Sequence, residues 1–500
     1  MSESGCVTAV PGGQPLPVAS AIGSGEHFPR RRHRDRNIRS DVVSRRQASN
    51  DSRGRQNTLS GRPDGGSMDA VDLSGARITV VGINYAPEPT GSAPYVTALA
   101  RALADGGAHV HVVTGLPHYP QWRVDDPRYA NGDFWQEWDG SVQVTRCRHW
   151  VPPQSSMKDR ARMEASFFRR ALQVLRGERP DLVIASVPVL GALAAPLAAY
   201  RRRVPVAAII QDLTANAATQ TGTVGGRLGA VIRAGEYSLY RRCARIGVIN
   251  EEFRRVLEQG GVPVDKVDLT TNFAHITPVR ASVSEARARL GWDPDAFLVV
   301  HTGNMGSKQG LETVVDAARL AEQRASTVQF VFVGDGNQRQ VLGQRAAGVA
   351  NAQFVPPLSD ADYPYALAAA DVLLLNELPS AITMSLPSKL TSYTAAGRPV
   401  LAATDSVSIT AAFLAEQRLG EVVAGGDPQA LLDAAEHLQH DEVRRHELAS
   451  ASRRVYTTLY GREAAEDRYR RFAGTALAGS RSRASSSEVD DSPALRSEAG

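Results

Sequence analysis

The chain has 500 residues, 42% of them hydrophobic and 22% charged, with a formal net charge of +4. That length exceeds one ordinary domain, and the composition is typical of a soluble globular protein. Eleven arginines against eight acidic residues in the first 75 positions leave the remainder nearly neutral, which excludes a nucleic-acid footprint there. Three scattered cysteines without C-x-x-C spacing argue against a disulfide framework or a zinc site and fit a cytoplasmic protein.

Both ends of the chain predict disordered tails. Residues 1–74 are rich in Arg, Ser, Gly and Pro without apolar periodicity, and residues 479–500 are rich in Ser and acidic residues. We see no signal peptide, and Met68 is an alternative start to Met1. The longest uncharged apolar stretch, Val187–Tyr200, is about two-thirds of the ~20 residues that a membrane span needs, so it predicts a buried helix.

Between the tails, short β-branched runs alternate with helical patterns, which predicts βαβ units and a parallel sheet in each half. Strands are predicted in the first half at Ile78–Asn84, His109–Thr114, Val142–Arg148, Asp181–Ser186, Val204–Gln211 and Ile246–Asn250. Strands are predicted in the second half at Phe297–Thr302, Val328–Val333, Gln353–Val355, Val372–Leu375, Val400–Ala402 and Glu421–Ala424.

The segment Asn272–Ser282 contains a proline and lacks clear periodicity, so it predicts a linker between two α/β domains. The domains would span residues 75–272 and 283–460. Ligands of open α/β sheets bind at the carboxyl ends of the strands, and two facing sheets therefore predict an active site in the interdomain cleft.

The turn His301–Gly310, with the sequence H-T-G-N-M-G-S-K-Q-G, predicts an anion site in the second domain. Its glycines allow close backbone approach, and Lys308 stands near a helix start, where unpaired N–H groups favour anions. It is not a Walker A motif, since Lys308 precedes its glycine. Leu386–Leu390, L-P-S-K-L, adds a second lysine, Lys389, at a predicted helix start. Together the two lysines predict a diphosphate site, although Leu386–Leu390 alone would be a capped surface helix.

The turn Gly82–Gly91, with the sequence G-I-N-Y-A-P-E-P-T-G, is not a dinucleotide fingerprint, because its glycines are nine residues apart. It is either an ordinary βα loop or a loop at the cleft rim, with Gly91 and Ser92 at a helix start. The loop Gly115–Arg123 concentrates aromatic residues with a histidine and an arginine, which suits sugar or lipid contact but equally a folded loop core.

Three further features are weighed in the same way. Asp212 ends an apolar run, where a carboxylate is costly without a partner or a task, so we favour a cleft role over a helix cap. The turn Val333–Asn337 carries a lone G-x-G, and a packing turn is its simpler interpretation. Met157–Arg176 shows helical spacing and a local charge of +4, which predicts a helix that covers the sheet or rests on an anionic membrane surface.

With these motifs the chain resembles the family-4 glycosyltransferases of the GT-B fold, in the branch that makes bacterial exopolysaccharide and O-antigen units, including colanic-acid-type enzymes. The matching pieces run in order over residues 77–475: G-I-N-Y-A-P-E-P-T-G, H-Y-P-Q-W-R-V, Q-D-L, T-G-N-M-G-S-K-Q-G-L-E, P-S-K-L and A-A-G-R-P-V. The resemblance implies two Rossmann-like parallel-sheet domains and a helix at residues 461–478 that crosses back to the first domain.

The resemblance also implies a function. A retaining, metal-independent enzyme would move a sugar from a nucleotide-diphosphate sugar, which is a substrate and not a cofactor, to a polyprenyl-linked glycan. It would work in the cytoplasm, peripheral to the inner face of the plasma membrane.

The resemblance assigns roles to residues of this chain. The catalytic residues would be Asp212, Lys308 and Lys389. The donor would be bound by Gly303, Asn304, Gly306, Lys308, Gly334, Val355, Pro387, Ser388, Lys389 and Ser392. The acceptor would be bound by Gly91, Ser92, His118 and Tyr119.

Three positions depart from the broad family pattern. Asn304 stands nearest the place of an arginine, Ser392 replaces a glutamate that grips the ribose, and Met384 replaces that glutamate's partner. These departures leave open the alternative that the chain is a catalytically silent subunit that binds nucleotide sugars or glycans. A nucleotide-sugar 2-epimerase is a further alternative, although it would need cleft carboxylates and histidines, of which few are evident.

Overall fold

The computed structural model describes residues 71–89, 91–152, 157–187, 190–200, 204–213, 226–378 and 386–488. The predicted tails fall outside these ranges except at their inner ends. Val71–Ser74 already belong to the fold, because Leu73 is buried and its N–H donates to the Gly106 carbonyl at 3.0 Å. The first domain thus includes residues before the predicted boundary at residue 75.

The first half forms an eight-stranded sheet in the order β3-β4-β2-β1-β5-β6-β7-β8. Every neighbouring pair is parallel except β3 with β4. The strands are β1 Arg77–Val81, β2 His109–Gly115, β3 Phe134–Asp139, β4 Val142–Cys147, β5 Leu182–Val187, β6 Val206–Ile210, β7 Arg245–Val248 and β8 Val267–Leu269.

Helices cover both faces of this sheet. They are α1 Ala93–Asp105, α2 Met157–Leu175, α3 Leu190–Tyr200, α4 Gly226–Arg242 and α5 Glu251–Gln259. One face packs against α1, through residues such as Leu99 and Leu103. The other face packs against α2 to α5, with Phe167 and Tyr240 among the largest buried side chains.

The second half forms a six-stranded, entirely parallel sheet in the order β11-β10-β9-β12-β13-β14. Its strands are β9 Phe297–Thr302, β10 Val328–Val333, β11 Ala352–Val355, β12 Val372–Asn376, β13 Val400–Thr404 and β14 Gly420–Ala424. Its helices are α6 Val283–Leu290, α7 Glu312–Gln323, α8 Arg339–Arg345, α9 Tyr363–Ala369, α10 Lys389–Ala396, α11 Ile409–Gln417, α12 Pro428–His440 and α13 Glu442–Val455.

The chain then returns to the first half through α14, Arg462–Glu488. Tyr469, Phe472 and Ala473 of α14 are buried in the same apolar cluster as Leu99 and Leu103 of α1. The helix continues ten residues past the predicted end at residue 478, so the first part of the predicted C-terminal tail, residues 479–488, is helical.

The two connections between the halves lie side by side. The Ala274 N–H, in the predicted linker, donates to the Tyr460 carbonyl at 2.8 Å. The Thr271 hydroxyl donates to the Leu459 carbonyl at 3.2 Å. The point where the chain leaves the first half is therefore hydrogen-bonded to the point where it comes back.

The predicted architecture of two α/β sheets is confirmed, and all twelve predicted strands are present within a few residues of their predicted ends. Two strands, β3 and β8, were not predicted. Strand β3 forms an antiparallel hairpin with β4 at the edge of the first sheet, joined by Gly140 and Ser141. The predicted parallel sheet thus carries one antiparallel strand at that edge.

Candidate functional site

Two glycine turns interlock at the carboxyl ends of β9 and β10. Gly303 has a φ of +100°, and its N–H donates to the Val333 carbonyl at 2.8 Å. Gly334 has a φ of +134°, and a Cβ there would lie 2.2 Å from the Gly303 carbonyl oxygen. Only glycine fits at position 334, because both the backbone conformation and the contact exclude a side chain. The G-x-G thus serves as the predicted packing turn and fixes the loop that carries Lys308.

Lys389 lies against this turn. It begins α10, and its Nζ donates to Nε2 of His301 at 3.0 Å. A Cβ on Gly303 would stand 3.3 Å from the Lys389 Cε. The predicted helix start at Leu386–Leu390 and the glycine turn at Gly303 are therefore neighbours in space, as the diphosphate hypothesis requires.

The surroundings of Lys389 lower the pKa of its ammonium group. Burial lowers the pKa of Lys389 to about 8, and Glu377 opposes this shift only in part. His301 is itself buried, and its burial, together with the charge of Lys389, holds the pKa of His301 well below its usual range. The imidazole is therefore neutral at pH 7, and its Nε2 is available to accept from the ammonium.

A buried tyrosine fixes α10 on the sheet. Tyr393 lies one turn after Lys389, and its hydroxyl accepts from the Thr302 N–H at 3.1 Å and donates to the Leu374 carbonyl at 3.2 Å. These bonds connect α10 to the ends of β9 and β12. Neither Tyr393 nor His301 is among the predicted site residues, although a histidine inside an apolar strand is a sequence signal for His301.

Lys308 lies further along the same turn, in a single helical turn Ser307–Gln309, and its side chain is exposed. Its carbonyl accepts from the Leu378 N–H at 3.1 Å, and the Asn376 amide donates to the Gln309 carbonyl at 2.7 Å. Its backbone is thus held on the end of β12 while its side chain stays in solvent. The convergence of Lys308 and Lys389 on one ligand stays a prediction.

The other predicted donor residues surround this turn or extend from it. Asn304 lies over Gly306, where an added Cβ would be 2.8 Å from the Asn304 Nδ2. The Val355 carbonyl, at the end of β11, accepts from the Gly334 N–H at 3.0 Å. Pro387, Ser388 and Ser392 lie before and within α10, where Ser388 and Ser392 are exposed and half-buried, respectively. Met384 lies outside the described residues.

In the first half, one buried carboxylate joins the two loops that were predicted to form the acceptor side. Glu88 is only 6% exposed, and its Oε1 accepts from the backbone N–H groups of His118 and Tyr119, both at 2.9 Å. Its Oε2 accepts from the Asn84 amide at 2.9 Å. Glu88 is not among the predicted site residues, and its sequence signal is weak: an acidic residue between two prolines in a glycine-rich turn.

The four predicted acceptor residues differ in accessibility. An added Cβ on Gly91 would stand 3.4 Å from the Tyr119 ring, and both residues retain exposure, as does Ser92 at the start of α1. His118 is 3% exposed, its Nδ1 lies 2.9 Å from the Leu116 carbonyl, and its ring packs edge-on against His149. Tyr119, Gly91 and Ser92 therefore lie at the surface, whereas His118 is part of the loop core.

Asp212 follows β6, at the carboxyl edge of the first sheet. Desolvation raises the pKa of Asp212, and the charge of Arg160 partly offsets the shift. Its neighbour Gln211 accepts from the Asn272 amide at 2.8 Å. The carboxylate and the two lysines thus belong to different sheets, and no described contact joins them.

Two family descriptions match the chain, one to each sheet. The Glycosyl transferase 4-like domain matches residues 90–272, and Glycosyl transferases group 1 matches residues 296–441. The Escherichia coli (strain K12) protein named for colanic acid biosynthesis, glycosyl transferase WcaI, is 31% identical over 338 residues, which cover 64% of this chain and 81% of that protein. The chain belongs to the family-4, group 1 glycosyltransferases. It is accordingly a nucleotide-sugar-dependent glycosyltransferase, as the resemblance predicted.

Solved structures confirm the GT-B fold of this glycosyltransferase. Sucrose-phosphate synthase from Thermosynechococcus elongatus superposes with a TM-score of 0.56 at 17% identity, over 83% of this chain and all of that chain. Anabaena Alr3699/HepE in complex with UDP-glucose superposes with a TM-score of 0.52 at 16% identity, over 80% of this chain and 98% of that chain. At these identities the likeness concerns the fold alone.

The described part of the glycosyltransferase contains neither a metal site nor a membrane-spanning helix. No group of three or more His, Cys, Asp or Glu side chains is placed to hold a metal ion. No helix in the described ranges is long and apolar enough to cross a membrane.

Proposed function

We propose that this glycosyltransferase moves a sugar, with retention of configuration, from a nucleotide-diphosphate sugar to a lipid-linked glycan in the synthesis of a bacterial cell-surface polysaccharide. The observation that carries the proposal is the contact of Lys389 with Gly303, on the turn that also bears Lys308. The names of the relatives support it, since one is named for colanic acid biosynthesis and another is described in complex with UDP-glucose.

In this mechanism, Lys389, Lys308 and the positive end of the α10 dipole face the donor diphosphate. They stabilise the negative charge that grows on the nucleoside diphosphate as the glycosidic bond breaks. Preorganised donors of this kind typically contribute about 10²-fold each to the rate. These cations supply the charge that the leaving group needs, so the proposed reaction proceeds without a divalent metal.

Asp212 would orient the donor sugar or the acceptor hydroxyl from the facing sheet. Its carboxyl lies at the carboxyl edge of the first sheet and has a raised pKa, which suits hydrogen bonding to hydroxyl groups as either the acid or the carboxylate. Gly91, Ser92 and Tyr119 would border the acceptor, on loops held together by Glu88.

The experiment that tests this function is a donor screen. Purified protein is given UDP-, ADP-, GDP- or dTDP-linked hexoses, with and without a polyprenyl-diphosphate-linked glycan, and release of nucleoside diphosphate is measured. We expect one donor class to release nucleoside diphosphate in the presence of the acceptor. Absence of release with every donor, or interconversion of nucleotide sugars without acceptor, contradicts the proposal.

Helix α2 is the candidate for contact with the membrane surface. Lys158, Arg160, Arg162 and Arg169 are exposed on this helix, and the Arg162 guanidinium lies 4.4 Å from the ring centre of Trp150. Basic residues near an anionic surface contribute about 1 kcal/mol each to membrane attraction. We propose that this helix rests on the anionic inner leaflet, where a lipid-linked acceptor would be found.

Flotation with vesicles tests this contact. Wild-type protein should float with phosphatidylcholine vesicles that contain phosphatidylglycerol, and the double substitution Arg162→Glu/Arg169→Glu should abolish flotation. The matched control Arg255→Glu reverses an exposed arginine on α5 and should float normally. Equal flotation of the α2 variant and the control refutes the contact.

A further inference from the structure

A groove of about 550 Å³ lies beside the candidate acceptor loops, where the segments after β1 and β2 meet strands β3 and β4. Its volume falls within the ~300–1,000 Å³ of pockets that hold drug-sized ligands, and a disaccharide has that size. Glu88 and Tyr119 belong both to this groove and to the acceptor loops, so the two regions are continuous.

Charge in the groove disfavours phosphate. Five carboxylates line it, against three guanidinium groups. Burial raises the pKa of Asp139, but hydrogen bonds from Arg101 and Tyr85 outweigh burial and hold that pKa below its usual value. Arginines pair with four of these carboxylates, so the groove has no surplus positive charge to hold the diphosphate of a lipid carrier and favours neutral ligands that donate hydrogen bonds.

The polar groups of the groove are held rigidly by their neighbours. Glu137 accepts from the Arg146 Nε at 2.7 Å and from the Tyr129 hydroxyl at 2.6 Å. The Arg146 Nη2 donates to the Ala86 carbonyl at 2.7 Å. Each carboxylate has about four acceptor sites, so these groups retain capacity for ligand hydroxyls in fixed directions.

One buried donor in the groove wall lacks a partner. Arg146 is 5% exposed, and its Nη1 has no hydrogen-bond partner among the residues that the structure describes. A buried guanidinium nitrogen without an acceptor is costly, but this nitrogen has almost no accessible surface, so a ligand oxygen reaches it only when the Arg146 side chain turns toward the groove. Through such a turn Arg146 offers a donor to an oxygen-rich ligand.

An aromatic ring at the rim completes the groove. Trp138 on β3 is 72% exposed, which is unusual for so large an apolar surface. Aromatic rings that lie beside fixed polar groups suit the mixed apolar and hydroxylated faces of a sugar. Phe134, four residues earlier and on the same face of the strand, is partly exposed but does not line the groove.

From these observations we propose that the groove is a subsite for a neutral sugar of the acceptor, one or more units away from the sugar that is extended. This inference rests on the proposed function and deepens it, because it makes the acceptor an oligosaccharide and not a single sugar on a lipid carrier. The carrier's diphosphate lies outside the groove, since the groove has no surplus positive charge to hold it.

A glycan array of neutral oligosaccharides, with their phosphorylated and uronate-bearing counterparts, tests the subsite directly. Wild-type protein should retain neutral oligosaccharides in preference to the acidic ones. Trp138→Ala should weaken retention roughly tenfold, and Phe134→Ala, the matched control, should not. Because Trp138 also borders a second concavity around Gln143, Arg123→Ala is included, since Arg123 lines this groove alone, and it should weaken retention as well.

Four results overturn the subsite: no neutral oligosaccharide is retained by the wild type, acidic glycans are preferred, Trp138→Ala equals Phe134→Ala, or Trp138→Ala alone weakens retention. Thermal unfolding confirms that the variants are folded. Nucleoside diphosphate affinity, measured on the same variants, should be unchanged, and its absence in the wild type would refute the proposed function without affecting the glycan result.

Discussion

Lys389 provides a prediction that joins the fold to the chemistry. Burial lowers its pKa to about 8, so in the free protein its ammonium is largely charged at pH 7 and largely neutral at pH 9. A bound diphosphate favours the charged form and raises that pKa. The contribution of Lys389 to donor affinity is therefore complete well below pH 8. It falls as the pH rises through 8, in proportion to the charged fraction of the lysine. Between pH 7 and pH 9 the loss is about tenfold, or about 1.4 kcal/mol.

The assay is calorimetric titration of a nucleoside diphosphate over this pH range. The reference is Lys389→Arg, which keeps a charge throughout because a guanidinium does not titrate there. Ligand ionisation affects both proteins equally, so the ratio of wild-type to Lys389→Arg dissociation constants isolates the lysine. That ratio should rise about tenfold. A flat ratio, or an equal slope in Lys389→Met, would refute the assignment of Lys389 to the diphosphate.

Three further predictions concern positions that hold the site together. Gly334→Ala places a Cβ 2.2 Å from the Gly303 carbonyl oxygen at a φ of +134°. It should lower the free energy of unfolding, measured in denaturant, by ~1–3 kcal/mol or more and abolish nucleotide binding. Gly348 is exposed and also has a positive φ, so Gly348→Ala is the control and should leave nucleotide binding intact. Glu88→Gln should cost about 1–3 kcal/mol because a neutral amide oxygen accepts from the His118 and Tyr119 N–H groups more weakly than a carboxylate does, and Glu88→Ala, which leaves both N–H groups unpaired, should cost more. Tyr469→Ala should lower the free energy of unfolding by about 3–5 kcal/mol, because it removes a buried ring between α14 and α1. Tyr469→Phe should be neutral or stabilising, since the buried hydroxyl has no hydrogen-bond partner among the described residues. A large loss of stability in Tyr469→Phe would contradict this.

Much of the fold could be predicted because the buried strands are short β-branched runs between helical patterns. Phe297–Thr302 and Val328–Val333 were predicted with the ends that the structure gives them. Strand β3 could not be predicted because it lies at an edge of the sheet and alternates polar and aromatic residues. It also pairs antiparallel, within a pattern that otherwise indicates parallel units. Strand β8 could not be predicted because it has only three residues.

The site was predictable in its motifs but not in its contacts. The glycines and lysines of the second half were found from local signals of turns and helix starts. The pairing of Lys389 with His301 could not be found, because the two residues are 88 positions apart and meet only through the sheet order that places β12 beside β9. Glu88 was missed for the same reason, since its partners His118 and Tyr119 belong to the loop after the neighbouring strand.

The measurement that tests the central claim most directly is turnover of Lys308→Ala and Lys389→Ala with the donor identified by the screen. Each lysine is proposed to stabilise the departing diphosphate, so each substitution should lower kcat by about 10²-fold. Lys266→Ala is the control, because that lysine only donates to backbone carbonyls on the first sheet's side of the chain and should turn over normally. Wild-type turnover in either site variant would contradict the account.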